Sequence, residues 1–294
     1  MVDVTQVRKL LARYRVEDGR SFHLKDHDPA DTAGLGLEKQ EAKALLQEGI
    51  ALLKEQQDML YAQDRWAVLC LFQAMDAAGK DGAIKHVFSG VNPQGVRVAS
   101  FKAPGPIERD HDFLWRHILA MPPRGEIGIH NRSWYEEVLV ARVHPEILAG
   151  QKLPPVLRTK RIWEERLEDI ANFERYLSRQ GIVVLKFFLN VSKEEQRRRF
   201  LARIDEPEKH WKFSAQDVAE RHHWDDYQAA YEKAIRATAT PHAPWYVVPA
   251  DSKWFTRLVV AGALALALGE LDLHYPKVSA EDLARLQEAR KELE

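Results

Sequence analysis

Five short runs rich in aliphatic and aromatic residues are the feature that most constrains the fold of this 294-residue chain. Each run has the length of a buried strand, and stretches with helical character lie between the runs. The runs are residues 66–72, 96–101, 126–130, 182–189 and 245–248. Strands that alternate with helices form a parallel sheet with helices on both faces. We therefore predict an α/β fold, a three-layer sandwich around a five-stranded parallel sheet.

The first run leads into a loop of small and charged residues, and residues 83–88 after it have helical character. A turn between a strand and a helix directs backbone N–H groups at an anion, and a lysine there adds positive charge where a phosphoryl group is transferred. The candidate phosphate-binding residues are Ala78, Gly79, Lys80, Asp81 and Gly82. The strand-loop-helix order predicts a phosphate-binding loop in which Lys80 is catalytic.

This loop departs from the strict pattern G-x-x-x-x-G-K-[ST] at two positions. Ala74 replaces the first glycine, and Asp81 replaces the hydroxyl residue that would hold Mg²⁺. Asp76 lies inside the loop and offers a hard oxygen, so it is the expected metal ligand. Taken alone, residues 79–82 also suit an ordinary exposed turn.

Polar residues follow the third run, where Ser133 and Glu136 have the spacing of a helix start. The carboxyl ends of parallel strands share one edge of a sheet, so we expect Asn131 and Arg132 beside Lys80. The Arg132 guanidinium can bind two phosphate oxygens at once. Taken alone, the same pair also suits a turn residue and a surface charge.

Three consecutive arginines, at positions 197–199, lie in a helix that begins at Ser192. Arg197 precedes the apolar Phe200 by three positions, so we expect Arg197 to lean towards the buried side of the helix. Arg199 falls in a second row with Arg203. A charge run on a helix is more often a solvated face, and the run by itself does not decide between the two interpretations.

Charge and cysteine content exclude several classes of protein. The 43 Lys and Arg nearly balance the 44 Asp and Glu, so the chain lacks the basic excess typical of nucleic-acid binding, and any polyanion site must be local. Lys102 and Arg116 are expected to add positive charge to that site. The twelve histidines show no metal-ligand spacing, which argues against zinc. The single cysteine, Cys70, is expected to be a buried structural thiol.

The N-terminus and the most apolar segment predict a cytoplasmic protein. Asp3, Arg8 and Lys9 are not followed by an apolar stretch, so the N-terminus does not resemble a secretory signal. Residues 258–268 are about half the ~20 residues needed to cross a bilayer, and we expect a buried helix there. The amphipathic stretches near residues 37–63 and 279–293 lie outside the strand series and are expected to pack on the core or on a partner subunit.

Several longer motifs of this chain resemble the second family of polyphosphate kinases, over roughly residues 35–270. The motifs that carry the resemblance are residues 75–82, 90–95, 101–104, 131–135, 197–200, 211–214, 224–227 and 243–251. The resemblance implies a single P-loop kinase domain over residues 1–294. It also implies a helical lid at about residues 192–226 and peripheral helical segments at residues 1–64 and 271–294.

The resemblance implies a reversible, Mg²⁺-dependent transfer of phosphoryl groups between inorganic polyphosphate and AMP or ADP. Mn²⁺ is a substitute metal and guanine nucleotides are further substrates in this interpretation, and a homo-oligomer is expected, with the terminal helices as contacts. No nucleic acid and no membrane is expected as a partner. By position, Lys80 resembles the lysine of the phosphate loop, and Asp76 the loop carboxylate near the metal. Arg132 is expected to help neutralise the reacting phosphates.

The remaining cations have implied roles along the polyphosphate chain. Arg197 and Arg198 resemble lid arginines that close on phosphates, and Lys102 and Arg116 resemble residues that guide the chain. One position departs from the family pattern, because many members have Asp where this chain has Asn131. Asn supplies an oxygen but no negative charge, so the metal would depend more on Asp76 and on substrate phosphates. Asn131 resembles the subgroup that accepts both AMP and ADP.

Two other functions are compatible with the residues alone. An ATP-dependent nucleotide kinase of the same fold would use the same loop and the same cations. A non-catalytic polyanion-binding module is suggested by Ala74, Asp81 and Asn131, which depart from common patterns.

Overall fold

The computed structural model describes residues 4–294, so Asp3 and the rest of residues 1–3 lie outside the described part of the chain. The strands are β1 Arg15–Val16, β2 Ala67–Ala74, β3 Val96–Ser100, β4 Ile127–Asn131, β5 Ile182–Asn190 and β6 Trp245–Pro249. They form one sheet in the order β1-β6-β5-β2-β4-β3. The α/β prediction is confirmed, and the predicted strand count is corrected from five to six. The additional strand, β1, has two residues, too few to show a period in the sequence.

The five longer strands are parallel, and β1 closes one edge antiparallel to β6. Each predicted run overlaps its strand to within two residues. β2 lies at the centre of the sheet, is buried through Gln73 and contains Cys70, so the predicted buried thiol is confirmed. Burial raises the pKa of that thiol above its usual range. The parallel arrangement places the carboxyl ends of β2 and β4 side by side.

Helices cover both faces of the sheet. They are α1 Val4–Leu11, α2 Lys39–Gln63, α3 Lys80–Val87, α4 Trp115–Ile118, α5 Val140–Val143, α6 Pro145–Gly150, α7 Ile162–Arg179, α8 Lys193–Asp205, α9 Ala215–Ala219, α10 Trp224–Thr238, α11 Lys253–Gly269 and α12 Ala280–Leu293. One core cluster joins α2, α3 and α11 to the sheet, and a second joins α7 and α10 to the opposite face. The predicted three-layer sandwich is therefore confirmed. None of the helices in residues 4–294 is long and apolar enough to cross a membrane.

The terminal segments differ in how they contact the core. In α2, Leu53 and Leu60 are buried against the sheet side of the molecule, and Gln56 Nε2 donates to the Ala265 carbonyl of α11 at 3.0 Å. The apolar face of α2 therefore packs on the core. The assignment of residues 1–64 and 271–294 as peripheral segments stays a prediction. Residues 274–294, which include α12, are exposed throughout.

The segment from α8 to the start of α10 crosses the carboxyl edge of the sheet. Ser192 caps α8, and its Oγ accepts a hydrogen bond from the Glu195 N–H at 3.0 Å, as the sequence predicts. Short helical turns between residues 207 and 223 connect α8 to α10. Residues 192–226 thus stand beside the loop that follows β2, and their function as a lid stays a prediction.

Candidate active site

A tight loop connects β2 to α3. Ala77 and Gly79 have φ angles of 60° and 101°, and these left-handed residues turn the chain so that α3 begins at Lys80. The first N–H groups of a helix have no partner within the helix, and together with loop amides they form a concave anion site. The predicted strand-loop-helix geometry is therefore confirmed, with α3 beginning three residues earlier than expected.

Lys80 is half-buried at the start of α3 and lies in a dense group of charges. Burial and the Arg132 guanidinium lower the pKa of the Lys80 ammonium, against the opposing effect of Glu136, Asp76 and Asp81. The net direction is downward because the protonated lysine is poorly solvated and faces another cation. A bound phosphate anion would relieve both effects, so this loop is prepared for an anion.

The end of β4 lies directly beside the loop. Asn131 is in register with Phe72 of β2, and the next residue, Arg132, places its guanidinium 3.5 Å from Asp76 and 3.3 Å from Glu136. Asn131 Nδ2 donates to Asp81 Oδ1 at 2.9 Å. The parallel pairing of β2 and β4 thus brings together the two loops that the sequence predicted to meet.

The inward arginine of α8 is Arg199. Its side chain is 8% exposed, and its guanidinium donates to the carbonyls of Ala77 at 3.0 Å and Ala78 at 2.7 Å. Gln196, one turn earlier, donates to the Asp76 carbonyl at 2.9 Å. Two residues of α8 therefore hold the phosphate loop by its backbone.

Arg197 and Arg198 lie on the outer face of α8, with 56% and 71% of their side chains exposed. Arg197 pairs with Glu194 at 2.7 Å and Arg198 with Glu195 at 2.6 Å. The prediction that Arg197 leans inward is wrong, because the buried residues of α8 are Gln196, Arg199 and Phe200. The lid role of Arg197 and Arg198 stays a prediction.

A cavity of ≈ 880 Å³ opens in front of the loop, between α8, α11 and the ends of β3 and β4. Among the described residues, its lining holds nine cationic side chains and two carboxylates, those of Asp76 and Asp81. The cations are Lys80, Lys102, Arg132, Arg199, Arg203, Lys209, Lys212, Lys253 and Arg257. Such an excess of one sign in a concave site produces a strong local field that attracts polyanions.

Six of these cations were not among the predicted site residues. Two of them, Arg199 and Arg203, were assigned only to a second row of α8, and the other four were given no role. Lys209 and Lys212 lie in a helical turn after α8, and Lys253 and Arg257 lie in the first two turns of α11. The sequence does hold a signal for Lys253 and Arg257. Their i, i+4 spacing at the start of an apolar helix aligns both side chains on one face of that helix. The helical turn that carries Lys209 and Lys212 has no periodic pattern of apolar residues in the sequence. Only the fold therefore shows that it lies beside the cavity.

The two guiding cations have different environments. Lys102 lines the cavity, as expected. Arg116 is outside that lining and buried, where it donates to the Lys102 carbonyl at 2.7 Å and lies 3.8 Å from both Glu108 and Glu137. The prediction that Arg116 adds charge to the cavity is corrected, because its guanidinium is held by the protein itself.

Oxygen ligands for a divalent cation lie beside the loop lysine. Asp76 and Asp81 supply carboxylates and Asn131 a carbonyl oxygen. The part of the chain that the structure describes holds no cluster of three or more His, Cys, Asp or Glu that could bind a metal by itself. One or two carboxylates with substrate phosphates are what Mg²⁺ prefers, so the donor set fits this cation better than a soft metal.

The fold and the site define a P-loop protein of the phosphotransferase class, in which a strand-loop-helix turn faces a cationic cavity. Comparison with known proteins gives the family. The family model described as polyphosphate kinase 2 (PPK2) matches residues 36–275, and the chain belongs to this family. The predicted family and the predicted phosphotransferase class are confirmed.

Individual relatives agree with this assignment. An ADP-polyphosphate phosphotransferase of Rhodopseudomonas palustris is 50% identical over 256 residues, which cover 87% of this chain and 89% of the relative. An AMP/ADP-polyphosphate phosphotransferase of Meiothermus ruber is 45% identical over 267 residues, covering 91% and 96%. The crystal structure of polyphosphate kinase 2 from Arthrobacter aurescens TC1 has a TM-score of 0.85 and 41% identity, and covers 96% of each chain.

Proposed function

We propose that this chain transfers phosphoryl groups between inorganic polyphosphate and AMP or ADP, forming ADP or ATP, with Mg²⁺ as the cofactor and Mn²⁺ as a substitute. The observation that carries the proposal is the cavity at the phosphate loop, with nine cations against two carboxylates. This excess of positive charge can neutralise the repulsion between two polyanions that must approach each other. The names of the R. palustris and M. ruber relatives support the same donor and acceptors.

The chemistry requires alignment and charge neutralisation more than a base. The terminal phosphate of AMP or ADP is already anionic near neutral pH, so no side chain has to remove its proton. Lys80 and Arg132 converge on the place where the transferred group gains charge, and Arg199 holds the loop amides in position. When bound, Mg²⁺ supplies further neutralisation of phosphate oxygens, with Asp76 as its first protein ligand and Asn131 as a neutral one.

Asn131 supports AMP as an acceptor beside ADP, which is the finer part of the proposal. Its amide donates to Asp81, so the end of β4 contributes one negative charge fewer than a carboxylate would. Adenine nucleotides are the proposed substrates and guanine nucleotides the next to test. A homo-oligomer and a cytoplasmic location stay predictions, and light scattering on the purified protein tests the oligomer.

A donor assay tests the proposal against an ATP-dependent kinase. Purified protein is incubated with Mg²⁺ and ATP-free polyphosphate, with AMP in one arm and ADP in another. We expect ATP from ADP, and ADP followed by ATP from AMP. Transfer that requires ATP as the donor would contradict the proposal, and activity with ADP alone would contradict the part that rests on Asn131.

A loop variant tests the proposal against a non-catalytic binding module. Lys80→Ala is expected to lower kcat by about 10²-fold or more, because it removes a cation from the transition state. The matched control is Lys85→Ala, which changes an exposed lysine of the same helix outside the cavity. Wild-type protein that binds polyphosphate but transfers nothing to any nucleotide would favour the binding module.

A further inference from the structure

A fully buried ion pair lies behind residues 132–133, the short loop after β4 that we call the Arg132 loop, in the core between the sheet and α7. Lys186 of β5 and Glu174 of α7 have side chains that are 0% and 1% exposed, and Lys186 Nζ lies 2.5 Å from Glu174 Oε2. Burial lowers the pKa of Lys186 and raises that of Glu174. Desolvation offsets much of the attraction in such a pair, so the pair is a weak source of stability. Its role must be sought in the groups it holds.

The Glu174 carboxylate anchors the two aromatic residues that follow the Arg132 loop. Trp134 Nε1 and the Tyr135 hydroxyl both donate to Glu174 Oε1, at 3.3 Å and 2.7 Å. Both aromatic side chains are fully buried. A buried carboxyl group without a cation would take up a proton and lose acceptor capacity, so Lys186 keeps Glu174 an acceptor.

Arg132 itself has a strained backbone. Its φ angle is 66°, a left-handed conformation that is strained for a residue with a side chain. Such strain persists only where the surroundings over-determine it. On one side the Arg132 N–H donates to the Phe72 carbonyl of β2 at 3.0 Å, and on the other Trp134 and Tyr135 are fastened to Glu174. The chain between these two attachments directs the Arg132 guanidinium towards Asp76.

We propose that Glu174 and Lys186 are positioning residues, which hold Trp134 and Tyr135 and through them set the place of Arg132 at the phosphate loop. The pair lies in the core and is not part of the cavity lining, so its effect on the site passes through the residues it contacts, Trp134 and Tyr135, to Arg132. The inference rests on the proposed function, because Arg132 is the residue through which the pair acts on phosphoryl transfer.

Two double variants separate positioning from charge. Glu174→Gln with Lys186→Met keeps an acceptor oxygen for the aromatic pair, whereas Glu174→Leu with Lys186→Met removes it, and neither leaves an unpaired buried charge. We expect the Leu variant to lose about 10- to 100-fold in kcat with little change in the KM for polyphosphate, because a displacement near 1 Å has effects of this size. The Gln variant is expected to keep most of the wild-type kcat. Equal kcat for the Leu variant and the wild type would overturn the proposal.

A coupling test shows whether the effect passes through Arg132. In an Arg132→Lys background, adding the Leu double substitution should lower kcat no further than about twofold, because residues that act as one unit are not additive. If the Leu double substitution lowers kcat in the Arg132→Lys background by as much as it does in the wild type, the proposal is overturned. If the Leu variant does not fold, Tyr135→Phe replaces it, since this change removes only the hydroxyl anchor.

A readout without turnover keeps this inference separate from the proposed function. Trypsin cleaves after arginine, and a released loop should expose the Arg132–Ser133 bond. Mass spectrometry of limited digests is expected to show faster cleavage there in the Leu variant than in the wild type or the Gln variant. Equal cleavage in all three would overturn the proposal, whereas absent transfer by the wild type would refute only the proposed function.

Discussion

At the scale of single residues, the guanidinium of Arg199 joins three parts of the site. It donates to two carbonyls of the phosphate loop and, at 2.6 Å and 3.1 Å, to the carbonyls of Ala250 and Asp251 after β6. Its Nε also donates to Glu195 of the same helix at 2.6 Å. One buried side chain thus determines where the loop amides lie relative to α8.

Replacing this arginine should therefore affect both stability and activity. We expect Arg199→Ala to lower the free energy of unfolding by about 2–4 kcal/mol, because several buried carbonyls lose a charged donor. The same change should lower kcat, since the loop loses its support. Arg197→Ala serves as the control, and because its ion pair is exposed we expect less than about 0.5 kcal/mol. Urea unfolding of both variants measures the difference. Equal losses of unfolding free energy would contradict the conclusion that Arg199 is the arginine that holds the loop.

Two buried histidines make stability depend on pH. His117 and His130 are fully buried around Phe101, with ring centroids 4.0 Å and 4.9 Å from its ring. Within residues 4–294, neither ring nitrogen of His117 has a hydrogen-bond partner. Burial lowers the pKa of His117 to about 2, with His130 and Arg116 adding to the effect, and burial lowers that of His130 to about 4.

These pKa values predict a loss of stability in mild acid. Between pH 6.5 and pH 4 the unfolded chain binds a proton at each histidine that the folded chain does not bind, and below pH 4 only His117 differs. As the pH falls from 6.5 towards its folded-state pKa, each histidine therefore lowers the free energy of unfolding by about 1.4 kcal/mol for each pH unit. His117→Leu should make the slope shallower, whereas His222→Gln, at an exposed position, should not. Urea midpoints at several pH values measure the slope, and an unchanged slope in the Leu variant would contradict the prediction.

At the scale of elements, the two terminal helices differ in what they contribute. In α1, Leu11 is 2% exposed and packs at Gly262 of α11, where even a β-carbon would lie 3.2 Å from a Leu11 methyl group. In contrast, α12 has 14 residues, all of them exposed. A helix of this length has little stability of its own in water.

Changes in these two helices should have opposite outcomes. We expect Leu11→Ala to lower the free energy of unfolding by about 2–5 kcal/mol, because it leaves a cavity against α11. Removal of residues 276–294 should change the free energy of unfolding by less than about 0.5 kcal/mol, because no buried surface is lost. Thermal and urea unfolding at low protein concentration measure both. A large loss on truncation would show that α12 packs in solution.

At the scale of the whole molecule, charge is unevenly distributed. The chain as a whole has a formal net charge of −1, yet the lining of one cavity holds nine cations and two carboxylates. Acidic residues elsewhere on the molecule balance this excess. The distribution permits tight binding of a polyanion without a generally basic protein.

This distribution predicts binding that depends strongly on salt. Raising the ionic strength from 0.05 M to 0.5 M should weaken polyphosphate binding by about tenfold or more. The reason is that the release of counterions into the solution favours the complex less when the salt concentration is already high. Lys209→Ala with Lys212→Ala should reduce the slope of log Kd against log salt. The matched control is Lys43→Ala with Lys54→Ala on the exposed side of α2. Equal slopes in the two double variants would contradict a role for the cavity lysines.

Local patterns were sufficient to predict much of the fold. The five longer strands and the loop at residues 75–82 have signals that lie within a few consecutive residues, such as an apolar run or a glycine next to a lysine. The parallel arrangement also predicted that Arg132 and Lys80 would lie at one edge. The two-residue β1 gives no such signal, because its pairing with β6 depends on residues about 230 positions away.

The sequence by itself determined the fold class, the phosphate loop and the resemblance to a family, because each depends on residue types at short spacings. Only the tertiary structure decided which cations face the cavity and the loop after β2. Arg197, Arg198 and Arg199 are the same residue type at consecutive positions. The orientation of α8 against the loop buries Arg199 and leaves Arg197 and Arg198 exposed to solvent. Side-chain direction on a helix is set by what that helix packs against, and sequence spacing does not contain that information.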